Sequence, residues 1–204
     1  MKQVIISLIS EFDYYFAENG FLRKSHSLTC IRKLDGVTQK VEIVFFSNPS
    51  YHPGALAFIY PHMQIYIPSV NGITKEYASH IIPSKWLYQF TIRQPIQIYS
   101  SSGNFYLMDM NACESLKDQL LDFFEKNAIP LLNDVISEKD YLSLYENKDK
   151  RIIWDDNQYL YIAATYLNNR DLNKAKEVIK NRFGKNGLRK KYNEVIKYFE
   201  NLEE

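Results

Sequence analysis

The chain has 204 residues, a formal net charge of +1, 46% apolar and 24% charged residues. That is room for one domain with a proper core, in an ordinary soluble composition. Two cysteines exclude a secreted disulfide framework, seven Gly and seven Pro exclude a long disordered linker, and no run approaches the roughly 18 apolar residues of a membrane span. A reduced, cytoplasmic protein is the expectation.

The first predicted element is a helix whose stripe is Ile5, Leu8, Ile9, Phe12, Tyr15 and Phe16. Its apolar run Val4–Ile9 is too short, and too soon followed by Glu11 and Asp13, for a signal peptide. Asn19-Gly20 stops it, because glycine takes the left-handed conformation of a C-cap. The run to Leu34 and the run Val37–Ser47 then flank Asp35-Gly36, a two-residue hairpin signal. Folding there sets Cys30 opposite Val41, Leu28 opposite Ile43 and His26 opposite Phe45 on one face, with Arg32/Gln39 as a polar exception. The other face receives Lys33/Thr38, Ile31/Lys40, Thr29/Glu42 and Ser27/Val44 and is more polar. One side is expected on the first helix, and the other toward solvent or a partner.

After the loop Asn48–Gly54 comes the β-prone run Leu56–Ile67. Pro61 interrupts it, which predicts an edge strand or a bulge. A less regular connection through Asn71-Gly72 and Pro83 to Trp86 follows. Two further strands are expected at Ile92–Tyr99 and Phe105–Met110, joined around Ser102-Gly103-Asn104. The sum is an antiparallel sheet of about five strands.

From Asn111 the pattern is helical. Leu116, Leu120, Leu121, Phe123 and Phe124 mark one helix that Pro130 ends or kinks. Ser137-Glu-Lys-Asp140 reads as a cap for a helix carrying Tyr141, Leu144 and Tyr145. Residues 159–183 read as two helices folded back on each other, with Ala163, Ala164 and Ala175 where they meet. A last helix spans about Leu188–Leu202, after the Gly184…Gly187 break. The fold class is therefore α+β: an N-terminal helix on an antiparallel sheet (residues 1–127), followed by a C-terminal helical tail (128–204) packed on it and not independent of it.

No recognisable reaction chemistry accompanies this architecture. His26, His52, His62 and His80 show no metal-ligand spacing with each other or with the cysteines. His26 and Cys30 share a face but lie roughly 13 Å apart along a straight strand. Cys30, on the buried hairpin face, reads as a small apolar filler, and Cys113 near a helix start has no partner for nucleophilic work. Asp155-Asp156 suit a helix N-terminus, and Trp154 is expected to pack on the helical hairpin or to anchor a partner. Phosphate loops, nucleophile elbows and helical His-Glu-x-x-His motifs are not found. The expectation is no catalytic residue, no cofactor and no metal.

Charge is uneven. Residues 170–193 carry nine bases against two acids, +7, so the rest of the chain is −6. Arg170, Lys174, Arg182, Arg189, Lys190 and Lys191, together with Trp154, are the candidate contact residues. A basic arm suits nucleic acid, anionic lipid or an acidic protein, or serves only as a solvated helix face.

Two resemblances follow. Tyr159…Ala163-Ala164-x-Tyr166-x3-Arg170-Asp171-x2-Lys174-Ala175 resembles one tetratricopeptide-type helix pair, where a solenoid needs about three repeats. More broadly, a helix leads to Gly20-Phe21-x-x-Lys24, then the Asp35-Gly36 hairpin, Ile129-Pro130 and an Ala-rich hairpin over 159–176. This order is similar to an uncharacterised bacterial family of small cytoplasmic proteins near toxin–immunity loci. Asn48–Tyr60 departs from that pattern. The resemblance implies stoichiometric, immunity-like binding of a protein partner without catalysis. The expected function is accordingly a non-enzymatic binding protein with an unidentified protein partner and no membrane association. A nucleic-acid-associated protein using 170–193 is the alternative, and a small enzyme with an unrecognised site is third.

Overall fold

In the computed structural model of the chain, residues 1–95, 105–109, 113–185 and 187–203 are described. The protein is α+β, and its contacts cluster into two units. The first takes in residues 1–34, 38–65 and 93–136; the second takes in 35–37, 66–92 and 137–204. The helical region thus includes a segment from the middle of the chain as well as its C-terminal part.

The first unit holds the sheet. Its N-terminal stripe forms two helices, α1 (Lys2–Ser10) and α2 (Asp13–Glu18), where the periodicity predicts one. The Ser10 hydroxyl donates to the Ser7 carbonyl, and Glu11 and Phe12 donate three residues back, so the helix tightens and breaks there. Gly20 ends α2 as expected: φ is +77°, its N–H bonds Ala17 O and that of Phe21 bonds Phe16 O.

The run after Gly20 is two strands instead of one. β1 (Leu22–Arg23) pairs antiparallel with β2 (Thr29–Leu34), placing Leu22 opposite Ile31. His26 sits in the turn between them at φ +64°, which removes it from the expected pairing with Phe45. β3 (Val37–Ser47) follows the Asp35-Gly36 turn, and the Ile43 N–H to Leu28 O bond confirms the expected hairpin register. Cys30, Val41 and Ile43 are buried, and burial pushes the Cys30 thiol up to about 12.

β4 (Ala57–Tyr66), β5 (Ile92–Pro95) and β6 (Phe105–Leu107) complete the antiparallel sheet, in the order β1-β2-β3-β4-β5 with β6 also on β4. β4 is therefore interior, and Pro61 does not mark an edge. Antiparallel pairing with β6 covers Ala57–Ile59 and stops short of the proline, which has no N–H to donate. The expected strand residues 96–99 and 110, and the turn at 102–104, lie outside the described residues.

α5 (Cys113–Phe123) packs on the inner sheet face through Leu116, Leu120 and Phe123. Of the two expectations for Pro130, an end or a kink, the end does not occur: the helical run is interrupted without ending. Residues Phe124–Ala128 widen into a π turn, and α6 (Ile129–Asn133) continues with Pro130 in its first turn. A regular turn would collide with the proline ring and waste a carbonyl, and the wider turn relieves both. Rings close the core: Phe124 meets Phe12 at 5.5 Å and Phe16 at 5.1 Å, while Phe123 meets Phe105 at 5.3 Å.

The polar exception Arg32/Gln39 is a buried clamp. Gln39 is fully buried; its amide donates to Leu132 O and Val135 O at 2.7 Å each and accepts from Arg32 Nε at 2.8 Å. Arg32 also donates to Asn19 O and Asn133 Oδ1 and lies over the Phe21 ring. The two hairpin strands thereby satisfy carbonyls at the end of α6.

In the second unit, the expected irregular connection is helical: α3 (Pro68–Ala78) and α4 (Ser84–Leu87). Pro68 opens α3, and Val70, Thr74, Tyr77 and Ala78 are its buried face. Asn71, expected in a less regular connection, is a buried anchor. It donates to Leu87 O and Phe90 O at 3.0 Å each and accepts from the Thr91 hydroxyl. Gln158 donates to Thr91 O at 3.0 Å and accepts from the Tyr141 hydroxyl at 2.8 Å.

α7 (Glu138–Glu146), α8 (Asp156–Asn168) and α9 (Leu172–Phe183) start at caps Ser137, Asp155 and Asp171, whose side chains accept from Asp140, Gln158 and Lys174 N–H. Ala163, Ala164 and Ala175 are fully buried in the α8–α9 hairpin, as expected. α10 (Asn193–Asn201) is the last helix.

Candidate binding surfaces

The predicted contact residues all fall in the second unit, where the structure divides them. Trp154 packs on α7: its ring lies 6.2 Å from Tyr141 and 5.4 Å from Tyr145, and its indole N–H donates to Asp149 O at 2.9 Å. Arg182 is bound to Asp156 through Nε at 2.9 Å and Nη2 at 2.7 Å, and it covers the Tyr159 ring. Tyr192 donates to the same carboxylate at 3.0 Å, with Lys191 over the Tyr192 ring. Asp156 therefore anchors α9 and the start of α10, while Asp155 caps α8. Lys174 pairs with Glu146 at 3.4 Å. Arg170, at φ +60°, occupies the left-handed position after α8 that glycine usually fills. Arg189 and Lys190 are exposed in the turn before α10.

A second surface lies in the first unit, on the outer face of the sheet. Alternation along β4 places Ala57, Ile59, Met63 and Ile65 on one face and Phe58, Tyr60, His62 and Gln64 on the other, where Phe58, His62 and Gln64 are still buried and Tyr60 is half-buried. Neighbouring strands add Glu42, Val44 and Phe46 from β3, Tyr106 from β6 and Arg93 from β5. The rings form a continuous ladder: His52 on Tyr106 at 4.1 Å, Tyr106 on Phe58 at 4.9 Å, Phe58 on Phe46 at 6.3 Å, all within 30° of parallel. Tyr51 meets Phe58 edge-on at 6.1 Å. Phe46, Tyr51 and Met108 at its margin are 50%, 62% and 42% exposed.

Beside the ladder the face is polar. Glu42 Oε2 accepts from Gln64 at 2.6 Å and pairs with Arg93 at 3.3 Å. His62 lies 3.9 Å from the same oxygen, too far for a hydrogen bond, and its buried Nδ1 has no partner. Burial, reinforced by the nearby Arg93 charge and only partly opposed by Glu42, lowers the His62 pKa to about 4, so the ring is neutral at physiological pH.

The period-two pattern of Phe58, Tyr60 and His62 was a legible signal of this face. The contributions of Tyr51, His52 and Tyr106 come from a loop and a short strand and were not. Among the described residues, no group of three or more His, Cys, Asp and Glu is placed to hold a metal ion, and no helix is long and apolar enough to cross a membrane. Comparison with known proteins gives no matching protein-family model, curated protein or solved structure.

Proposed function

We propose that this protein is a non-enzymatic, immunity-like binding protein that engages a protein partner in the cytoplasm through the outer sheet face. The supporting observation is the aromatic ladder, buried at Phe58 and open at its margin through Phe46 and Tyr51, with its Glu42–Arg93 border. Aromatic residues, Met and Arg are the side chains that protein interfaces favour, and a polar border orients an apolar contact. Phe46, Tyr51 and Met108 are already about half covered, so burying the rest would contribute roughly 1–2 kcal/mol each.

Site-specific photocrosslinking in the native cells tests this. A photoreactive amino acid at Tyr51 should give one discrete protein adduct, lost in Phe46→Ala, while the same group at Lys150 gives none. Equal labelling at both positions, or none at Tyr51, refutes the proposal.

The competing reading assigns nucleic-acid association to the basic segment. Its support is that Arg189 and Lys190 are exposed and make no ion pair among the described residues. It requires binding that weakens steeply with salt and is reduced by Arg189→Ala/Lys190→Ala/Lys191→Ala.

A further inference from the structure

Between α9 and α10 runs a groove of about 480 Å³. α9 contributes Lys176, Ile179 and Lys180, spaced i, i+3, i+4, and α10 contributes Ile196, Phe199 and Glu200 at the same spacing. Ile179 and Phe199 are almost fully buried and form an apolar floor. Gly184 and Arg189 line the same groove. Three bases against one acid leave its lining positive.

One of those bases is already engaged: Lys176 Nζ donates to Leu202 O at 2.6 Å. Lys180 and Arg189 make no ion pair among the described residues, and both are exposed. An apolar floor beneath uncompensated cations is complementary to a molecule with an apolar body and a single anionic head. The volume falls in the range of small-molecule sites, roughly 300–1,000 Å³.

We infer that the α9–α10 groove binds a small anionic amphiphile, with the apolar body against Ile179, Ile196 and Phe199 and the head between Lys180 and Arg189. This site is independent of the proposed sheet-face interaction. A carboxylate or sulfonate head meets the same chemistry, because either accepts charge-assisted hydrogen bonds from both side chains.

The test is a titration of the full chain, labelled at isoleucine methyl groups, with decanoate below its micelle concentration. Decylammonium and decanol are titrated in parallel. Decanoate should shift the Ile179 and Ile196 methyls saturably while Ile5 and Ile9 stay still, and decylammonium should leave all four unmoved. Lys180→Gln/Arg189→Gln should weaken decanoate about tenfold or more with the unfolding midpoint unchanged. No shift at Ile179 and Ile196, equal shifts at all four methyls, or decanol binding as tightly as decanoate would each overturn the inference.

Discussion

Replacing Gln39 with Met keeps an unbranched side chain of similar length and removes the amide that joins the β2–β3 hairpin to the end of α6. Val135 O loses its hydrogen-bond donor, and Arg32 Nε–H loses its acceptor. Leu132 O keeps only the 3.4 Å bond from Val135 N–H. An orphaned buried polar group costs roughly 1–3 kcal/mol; with Val135 O in that range and the half-buried Arg32 guanidinium near its lower end, the predicted loss is about 2–4 kcal/mol. Amide hydrogen exchange followed by mass spectrometry reads this locally. Segments covering β3 and α6 should exchange roughly thirty- to several-hundredfold faster, with α8 and α9 much less affected. Arg32→Met/Gln39→Met should cost less than the two single changes added, because partners removed together leave fewer orphans. An increase below about threefold in the β3 and α6 segments would show that the clamp holds nothing, and the reasoning would fail.

His62 makes stability depend on pH. Its folded pKa is lowered to about 4, so between about 6.5 and 4 the unfolded chain takes up a proton that the folded chain refuses. Stability should therefore fall as pH drops through that window, and His62→Gln should flatten the fall in urea midpoints; an unchanged slope would contradict it. Tyr161 has a buried hydroxyl with no hydrogen-bond partner. Tyr161→Phe should accordingly leave stability unchanged or raise it by up to about 1 kcal/mol, and a clear drop in thermal midpoint would reveal a partner for that hydroxyl. Gly20→Ala forces a side chain into φ +77° with its Cβ 3.3 Å from Arg32 Cδ. It should cost about 1 kcal/mol in urea denaturation, and a neutral result would mean the α2 end is not held in the left-handed conformation.

Local signals carried most of the fold. The Asp35-Gly36 turn, the Gly20 stop and the caps at Ser137, Asp155 and Asp171 each act over a few residues and were readable one at a time. The misreadings share a cause, which is that a tertiary partner overrode a local preference. Asn71-Gly72 suggests an irregular connection, yet the Asn71 side chain finds two carbonyls in the α4 region and stays in a helix. Pro61 reads as an edge or a bulge; the edge reading fails because β4 is interior, and the missing N–H falls beyond the β6-paired residues. Pro130 reads as a stop or a kink, and it takes the second form through the π turn before it. The candidate surfaces were half-legible for the same reason. The basic count over residues 170–193 was visible, but Lys174, Lys176 and Arg182 are occupied by acceptors that only folding brings near.

The composition of the second unit has a consequence for how the chain is made. Tyr77 on α3 donates its hydroxyl proton to Leu160 O on α8, 83 residues later, at 2.5 Å, and its ring packs on Tyr198 and Phe199 of α10. During synthesis α3 emerges well before its packing partners exist, so its buried face, Val70 and Tyr77 included, has to wait unprotected. Over that interval its apolar face stays open to water and to other chains. The same separation means that a C-terminal fragment cut anywhere after Ile92 leaves α8 without α3 beside it.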